Sequence, residues 1–497
     1  MEALFGYNAH DRQARTPVEW DSKRLTNPHM VMMGDTGSGK TVMLRKVCGA
    51  LARTGSNSTR LHIFDRAGDI SLPGASSVIF SQSTDYGINP LELNPDPHYG
   101  GVRRCVQAFI SCMNRSTQMQ KLGHRQQAVL RNLLHDLFRA NGFGLDDPSS
   151  WIASGGDDTY CVPGKEDRLF LEVPFEEKDA ARRCGLRWDA EERAWWCAID
   201  EYEGKVCRWP VKVSGVRYPT LLDAIRFTNS RLRAMFLGSS QEAVRALEAV
   251  QRAAKALTQK QRAAARAGGA VQDGEELSAD LQGARAKAIA AYTAAVQAVR
   301  TGHELEDLLK YDSIETVKSV VDRLENVYAM GVCRSVSPPF DPAARIHHYS
   351  INALHDDAQK LLVDTKAESI FARALQRGPQ QEVRDIIVLD EAKAFVTDED
   401  DHILNRIARE GRKYGVMLLL ASQGPAHFTD DLISAAGTKI VLGFDRNEWP
   451  KATRMLGMSH DALQWIVPWR RCVVMMKRAG ELQSAPYYVE FGDSAPP

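Results

Sequence analysis

The sequence predicts an α/β fold with a mainly parallel sheet, because short apolar runs alternate with helical patterns. The run from His29 to Met33 leads into a glycine-rich loop, a helical pattern from Thr41 to Ala52 and a second strand, Leu61 to Phe64. Similar runs return near the C-terminus, and strands covered by helices on both faces have this composition. These runs are residues 346–350, 385–389, 416–421, 439–443, 473–477 and 486–491.

Length and composition limit the class of protein. The 497 residues predict two or more folding units, with 44% hydrophobic and 25% charged residues as in globular chains. The 63 basic and 63 acidic residues balance, so any DNA contact must come from local basic patches. The nine cysteines form no C-x-x-C pair, which predicts reduced thiols in the cytoplasm.

No targeting or membrane segment is expected from the sequence. Residues 1–22 contain no apolar stretch typical of a signal peptide, and no run of about 18 apolar residues occurs in the chain. We therefore predict a cytoplasmic protein. Recruitment to the inner face of a membrane complex through a partner is compatible with this prediction.

A phosphate-binding motif follows the first predicted strand. Gly34, Asp35, Thr36, Gly37, Ser38, Gly39, Lys40 and Thr41 match G-x-x-x-x-G-K-[ST] in full. In this motif backbone amides wrap the phosphates, the lysine neutralises the β/γ-phosphates and the threonine hydroxyl ligates Mg²⁺. Because the motif lies between a strand and a helix, we prefer a P-loop that binds ATP and Mg²⁺ to a chance glycine-rich turn.

An acidic pair ends the apolar strand 385–389. Asp390 and Glu391 stand at the carboxyl end of this strand, where parallel sheets bind their ligands. Asp390 would hold Mg²⁺ through water, and Glu391 would polarise the attacking water. The alternative is a pair of solvated acids that open the next helix.

A third group of candidates surrounds the strand 416–421. Gln423 follows this strand and could sense the γ-phosphate, while Arg409 and Arg412 precede it. Arginine stabilises charge on a transferring phosphoryl group and is often supplied by a neighbouring subunit. The alternative for each arginine is a basic surface helix.

Together these motifs resemble the HerA/FtsK superfamily of DNA-pumping ATPases, and most closely the HerA-like translocases and the ATPases of conjugation and type IV secretion. The resemblance covers residues 18–140 and 340–492 and implies a RecA-like core. It rests on the P-loop, the Asp-Glu pair, the Glu-Gly-Arg-Lys-Tyr-Gly stretch at 410–415 and the Ala-Ser-Gln run at 421–423. Residues 64–66, 87–91 and 422–441 add to it.

The resemblance implies a hexameric ring with ATP sites between subunits. It assigns Arg412 to the arginine-finger position, with Arg409 as the weaker candidate. Residues 1–497 predict neither the N-terminal domain of secretion ATPases nor the β-barrel of HerA, and they predict a large central insertion that the family pattern does not include.

The insertion begins with a tryptophan-rich segment. Residues 169–196 resemble a small domain of unknown function that is common in plasmid-borne proteins. Strands flanking a helix from Glu177 to Cys184 predict an α+β mini-domain whose tryptophans fill a small core, and we favour a core position for Trp188. The alternative is a nucleic-acid surface on which tryptophan stacks on bases and arginine and lysine meet phosphates. Its basic residues are Lys178, Arg182, Arg183, Arg187 and Arg193.

Two further basic segments are helical in pattern. The first segment could line a DNA channel, or it could be a solvated helix face. Its basic residues are Arg103, Arg104, Arg115, Lys121, His124, Arg125 and Arg131. The other, 241–300, is Ala-rich with glycines at its middle and predicts an antiparallel helical hairpin for a protein partner.

We therefore expect an ATP-driven ring motor that moves duplex DNA without sequence specificity, in plasmid transfer or DNA processing. The rivals are a secretion-assembly ATPase that acts on protein partners and the motor of a defence complex. The expected domains are core 1–100, helical segment and linker 101–160, mini-domain 161–215, all-helical insertion 216–335 and core 336–497.

Overall fold

A computed structural model of the chain describes the two sheets and most of the helical region. The described ranges are 1–9, 16–115, 121–153, 167–173, 177–198, 217–237, 285–293, 310–400 and 402–490. Residues 165, 201, 202, 206, 209, 212, 253, 254, 256, 258, 282 and 283 are also described. The hairpin predicted over 241–300 lies mostly outside these residues, as do the basic side chains of its first arm.

Fourteen strands and eleven α-helices can be bounded within the described ranges. The strands are β1 Glu2–Asn8, β2 Pro17–Asp21, β3 Met30–Met33, β4 Arg60–Asp65, β5 Ala75–Ile79, β6 Arg168–Leu171, β7 Arg187–Asp189, β8 Ala194–Ala198, β9 Ile346–Ser350, β10 Asp385–Leu389, β11 Val416–Ser422, β12 Thr438–Val441, β13 Arg471–Met476 and β14 Ala485–Glu490. The helices are α1 Lys40–Thr54, α2 Val102–Asn114, α3 His124–Ala140, α4 Lys178–Arg183, α5 Leu221–Leu237, α6 Ile314–Ala329, α7 Asp356–Arg377, α8 Ile403–Glu410, α9 Asp430–Ala435, α10 Trp449–Leu456 and α11 His460–Trp465.

Eleven strands form one sheet in the order β2-β1-β14-β13-β12-β3-β11-β10-β4-β9-β5. The seven strands from β12 to β5 are parallel, and the other four add antiparallel ladders at one edge. Every residue of β3, β10 and β11 is buried, because helices cover both faces of the sheet. This confirms the predicted α/β class and its mainly parallel sheet.

Each face of the large sheet has its own hydrophobic core. One core joins residues of α1 to Met30, Ile63 and Val388, and the other joins residues of α7 and α8 to Val31, Phe64 and Leu389. Successive side chains of a strand point to opposite faces, so neighbouring residues fall in different cores. The central strands are therefore fixed from both sides, and their carboxyl ends form a rigid edge.

The described helices between the two halves of the sheet share a third core. Helices α2, α3, α5 and α6 contribute Phe109, Leu133, Ala224 and Val320, each at most 2% exposed. Helices α2 and α3, from the predicted segment 101–160, thus pack together with α5 and α6, from the predicted insertion 216–335. Within the described residues, no helix is long and apolar enough to cross a membrane.

The tryptophan-rich segment forms a three-stranded antiparallel sheet in the order β6-β8-β7, with α4 against it. Trp195 and Trp209 are buried in its core, but Trp188 is 51% exposed. The predicted core position of Trp188 is therefore wrong. Its strand β7 has three residues and lies at the edge of the sheet, so Trp188 meets Trp195 edge-on and is otherwise largely uncovered.

Asp364 of α7 ties the helical region to the sheet. Its carboxylate accepts hydrogen bonds from Arg115 Nε at 2.9 Å and from His402 Nε2 at 3.2 Å, and the residue is 3% exposed. Removing one member of a buried ion pair leaves a charge without compensation, which costs about 3–5 kcal/mol. We predict that Asp364→Ala lowers the free energy of unfolding by that amount.

Urea unfolding at pH 7 measures this effect. The matched control is Asp146→Ala, because Asp146 pairs with Arg103 where both side chains are well exposed and solvent screens the pair. Equal destabilisation by the two variants would contradict the assigned role of Asp364.

Candidate functional site

The P-loop connects β3 to α1 at the carboxyl edge of the parallel strands. Gly39, the last residue before α1, has φ +94, a left-handed conformation that favours glycine. Gly34 packs so closely that an added Cβ would lie 2.4 Å from Ser38 Oγ and 2.9 Å from Leu442 Cβ. The motif glycines thus satisfy both the backbone turn and the close packing that a phosphate cradle needs.

Two neighbouring strands hold the start of this loop. The Gly34 amide donates to the Ser422 carbonyl at 3.2 Å, and the Asp35 amide donates to the Gly443 carbonyl at 3.0 Å. In return, the Asp445 amide donates to the Asp35 carboxylate at 2.5 Å. The loops after β11 and β12 therefore fix the P-loop between them.

Lys40 and Glu391 meet across the edge of the sheet. Lys40 is 8% exposed, and its Nζ donates to Glu391 Oε1 at 2.8 Å. Glu391 has φ +51, a conformation uncommon outside glycine and associated with functional sites. The two residues lie 351 positions apart in sequence, so the fold alone brings the P-loop lysine to the acidic pair.

Asp390 lies buried beside this ion pair, with 2% exposure. Burial raises the pKa of Asp390 to about 6. The nearby charge of Lys40 lowers this pKa, and repulsion from Glu391, Asp69 and Asp65 raises it further. Among the described residues, Asp390 Oδ1 has no hydrogen-bond partner. A buried carboxylate oxygen without a protein partner is the arrangement expected when its partner is a cation or a water bound to that cation.

Two further acids complete an oxygen-rich pocket. Carboxylate oxygens of Asp65, Asp69 and Asp390 all lie within 4.8 Å of one another, and Thr41 Oγ1 donates to Asp69 Oδ2 at 3.2 Å. Hydroxyl and carboxylate oxygens are the ligands that Mg²⁺ prefers. The residues present therefore fit the magnesium site predicted for Thr41 and Asp390.

Asp65 organises the loop that carries Asp69. Its carboxylate accepts from the Gly68 amide at 2.6 Å, the Ile70 amide at 2.8 Å and His348 Nε2 at 3.0 Å. Burial raises the pKa of Asp65, but these hydrogen bonds outweigh it and hold the pKa below its usual value. Asp65 belongs to the stretch 64–66 that adds to the family resemblance, but nothing local indicates its partnership with His348.

Gln423 follows β11 directly and is exposed next to the first P-loop glycine. Its neighbour Ser422 exchanges a 2.9 Å hydrogen bond with His427 Nδ1. Burial lowers the pKa of His427, with a further contribution from Lys393. His427 is thus a neutral polar side chain near the ion pair, and it lies in the stretch 422–441 that adds to the family resemblance, although no role was predicted for it. The sensor role of Gln423 stays a prediction.

Arg412 and Arg409 do not reach this pocket within the chain. Both precede β11 and so lie at the amino edge of the sheet, opposite the P-loop. Arg412 NH1 donates to the Thr26 carbonyl, and Arg409 bonds to the Asp400 carbonyl at 2.6 Å and the Asp431 carboxylate at 3.3 Å. A catalytic role for either arginine requires the site of another subunit.

The basic segment after residue 101 is not one open face. Arg115 is held in the buried contact with Asp364, and Arg103 pairs with Asp146 at 3.0 Å. Lys121, His124 and Arg125 are exposed. The channel lining suggested for this segment therefore loses Arg115, whose charge is committed to holding α2 against α7.

The chain is similar in sequence or in structure to several known proteins. The DNA double-strand break repair helicase HerA of Pyrococcus furiosus is 23% identical over 180 residues, or 29% of this chain and 32% of the helicase. VirB4 of Thermoanaerobacter pseudethanolicus has a solved structure that matches with TM-score 0.54 at 12% identity, over 99% of this chain and 96% of that one. The chain is thus similar in sequence to HerA over part of its length and shares its fold with VirB4.

The large sheet has the RecA-like fold that this chain shares with VirB4. The mini-domain matches a second family, a domain of unknown function (DUF5710), over residues 168–210. The DNA primase TraC of Escherichia coli is 40% identical over 48 residues, covering 10% of this chain and 4% of the primase. The matched parts of the chain thus span about a third of the archaeal helicase and far less of the primase.

Proposed function

We propose that the chain is an ATP-driven motor that translocates DNA. The observation that carries the ATPase part is the 2.8 Å contact between Lys40 Nζ and Glu391 Oε1, beside the buried Asp390. It joins a phosphate-binding loop to a potential proton acceptor in one pocket. Hydrolysis of a bound nucleoside triphosphate is the chemistry for which this combination is suited.

The ion pair suggests how the resting site is controlled. With Lys40 bound to Glu391, the lysine ammonium group occupies one oxygen of the carboxylate. A triphosphate in the loop offers Lys40 a stronger partner, and this exchange leaves Glu391 as a base. Thr41 and Asp390 would hold Mg²⁺, which supplies positive charge to the phosphates when bound. Gln423 would contact the γ-phosphate from the end of β11.

A ring of identical subunits would complete the site. Arg412 is exposed at the edge opposite the P-loop, so a head-to-tail neighbour could present it to the phosphates. A hexamer is the form that the family resemblance implies. Arg409, with two partners inside its own chain, is the weaker candidate for this role.

DNA is the proposed substrate because the matched relatives include proteins named as DNA helicases. The exposed residues Lys121, His124 and Arg125 could meet the phosphate backbone, which is bound without sequence specificity. Plasmid transfer or DNA processing is the proposed setting. It is consistent with the match to the DNA primase TraC.

The test is steady-state ATP hydrolysis with and without linear duplex DNA, over a series of salt concentrations. We predict that DNA stimulates hydrolysis and that the stimulation falls as salt rises, because phosphate contacts release counterions. Lys40→Ala should remove both basal and stimulated hydrolysis. Lys23→Ala, at a surface lysine paired with Glu382, is the matched control and should behave as wild type.

Hydrolysis that depends on Lys40 but ignores DNA would contradict the DNA-motor proposal. That result would favour the secretion-assembly role, in which the motor acts on protein partners.

A further inference from the structure

A tight turn places an aromatic ring on the P-loop. The turn spans Val467 to Arg470, closed by the Arg470 amide donating to the Val467 carbonyl at 3.0 Å. Pro468 and Trp469 are its central residues, and Trp469 has φ +67. Proline followed by positive φ is the pattern of a type II turn, whose second central residue is usually glycine. A tryptophan there is held in a strained backbone conformation.

The strained residue faces the nucleotide site. A Cβ added to Gly39 would lie 3.5 Å from both Cδ2 and Cε3 of Trp469, so the indole lies within contact range of the position that a side chain on Gly39 would occupy. Gly39 immediately precedes Lys40. Trp469 is half-buried, so part of the ring is left uncovered by the described residues.

The turn is fixed in place by the sheet. Val467 and Arg471 exchange two backbone hydrogen bonds, of 2.8 and 3.2 Å, at the point where β13 begins. The backbone of Trp469 is therefore held in place beside Gly39. Residues with strained backbone conformations cluster at active sites and ligand-binding sites.

We propose that Trp469 is the platform on which the base of the bound nucleotide stacks. With Lys40 on the β/γ-phosphates, the ribose and base lie outside the phosphate cradle, within reach of a ring beside Gly39. An indole face stacks on any base and gains most from the large purines. The preferred ligand class is thus purine nucleotides, with no hydrogen-bond discrimination by Trp469 between adenine and guanine. This inference rests on the proposed nucleotide binding at the P-loop.

If the Trp469 ring only supported the P-loop, its removal would change ligand affinities in a different pattern. Loss of support would weaken every ligand that the loop holds, including one without a base. Loss of stacking would weaken only ligands that carry a base. ADP and inorganic pyrophosphate separate these cases, and neither is consumed by hydrolysis of a γ-phosphate.

The experiment measures the dissociation constants of ADP and pyrophosphate, both with Mg²⁺, for the full chain. Glycine suits a backbone with φ +67, so Trp469→Gly removes the ring and relieves the strain at once. We expect ADP to bind Trp469→Gly about 5- to 150-fold more weakly, with pyrophosphate unchanged. Trp469→Phe should retain most of the ADP affinity, and Trp188→Phe, in the mini-domain, should match wild type.

Equal weakening of ADP and pyrophosphate in Trp469→Gly would overturn the stacking role and leave nucleotide binding intact. Unchanged ADP affinity would overturn it as well. A wild-type protein that binds neither ligand would overturn the proposed ATPase function, and this inference with it. A preference for ADP over CDP that shrinks in Trp469→Gly would support the purine class independently.

Discussion

Glu391→Gln is expected to slow ATP hydrolysis by at least about 100-fold while nucleotide stays bound, because a positioned general base contributes about 10²–10⁴ to such rates. Glutamine has the same shape as glutamate but does not accept a proton from water. It can still accept the hydrogen bond from Lys40 Nζ, which is 2.8 Å from the carboxylate in the resting site. The Glu391→Gln pocket should therefore keep its geometry and lose the group that accepts the proton from water.

Binding should change in the opposite direction. Lys40 is held by a full negative charge in the wild-type protein and by a neutral amide in the variant, so a triphosphate competes for it more easily. Single-turnover hydrolysis and the dissociation constant of ATP, measured on the same preparation, test both expectations. Glu382→Gln, at a surface glutamate paired with Lys23, is the control. A rate near wild type in Glu391→Gln would show that another group accepts the proton.

The parts of the site that could be predicted from the sequence are those whose residues are adjacent along the chain. The P-loop and the Asp390–Glu391 pair each lie within a strand-loop segment, where apolar periodicity and glycine spacing are visible. The contact between Lys40 and Glu391 could be expected only from the motifs together. It depends on the order β3-β11-β10, in which the two loops emerge at the same edge of the sheet.

The parts that the sequence missed depend on pairing between distant strands. His348 reaches Asp65 because β9 lies beside β4, although the two residues are 283 positions apart. Trp469 reaches Gly39 by a turn at the far end of the chain. Neither residue belongs to a local motif, and neither was singled out. Their roles follow from topology and from a backbone outlier, which no periodicity reveals.

Edge elements were missed for a different reason. The apolar pattern predicts no strand in 1–22, where β1 and β2 lie, or in 75–79, where β5 lies. Strand β5 has the sequence ASSVI with one buried residue, so it carries little of the apolar signal of a central strand. A strand near the edge of a sheet buries fewer side chains and so needs fewer apolar residues. Its sequence therefore carries a weaker hydrophobic pattern than that of a central strand.

Asp390→Asn is expected to stabilise the protein in the absence of Mg²⁺ and to abolish Mg²⁺-dependent hydrolysis. Burial raises the pKa of Asp390 to about 6, above the value of 3.8 expected in the unfolded chain. The charged carboxylate therefore disfavours the folded state. This cost is absent below about pH 4, grows between pH 4 and 6 and is fully present above pH 6. Removing the charge should raise the free energy of unfolding at pH 7.5 by about 1–3 kcal/mol.

Asp65→Asn is the matched comparison and should have the opposite sign. The hydrogen bonds from His348 and two backbone amides hold the pKa of Asp65 below its ordinary value. Its charge therefore stabilises the fold at pH 7.5, and this stability is lost as pH falls through the folded pKa. Both acids are buried at the same edge of the sheet, with exposures of 2% for Asp390 and 0% for Asp65. Their environments alone separate the two predictions.

Urea unfolding in a metal chelator at pH 7.5 and pH 4 measures both signs. Addition of Mg²⁺ should then stabilise the wild-type protein more than Asp390→Asn, because the cation relieves the repulsion among Asp65, Asp69 and Asp390. A destabilised Asp390→Asn at pH 7.5 would mean that the buried carboxylate has a partner that holds it charged. Asp65 and Asp69, rather than Asp390, would then be the candidate ligands of Mg²⁺. A stabilised but inactive variant would show that the chain keeps an unfavourable buried charge for the sake of the site.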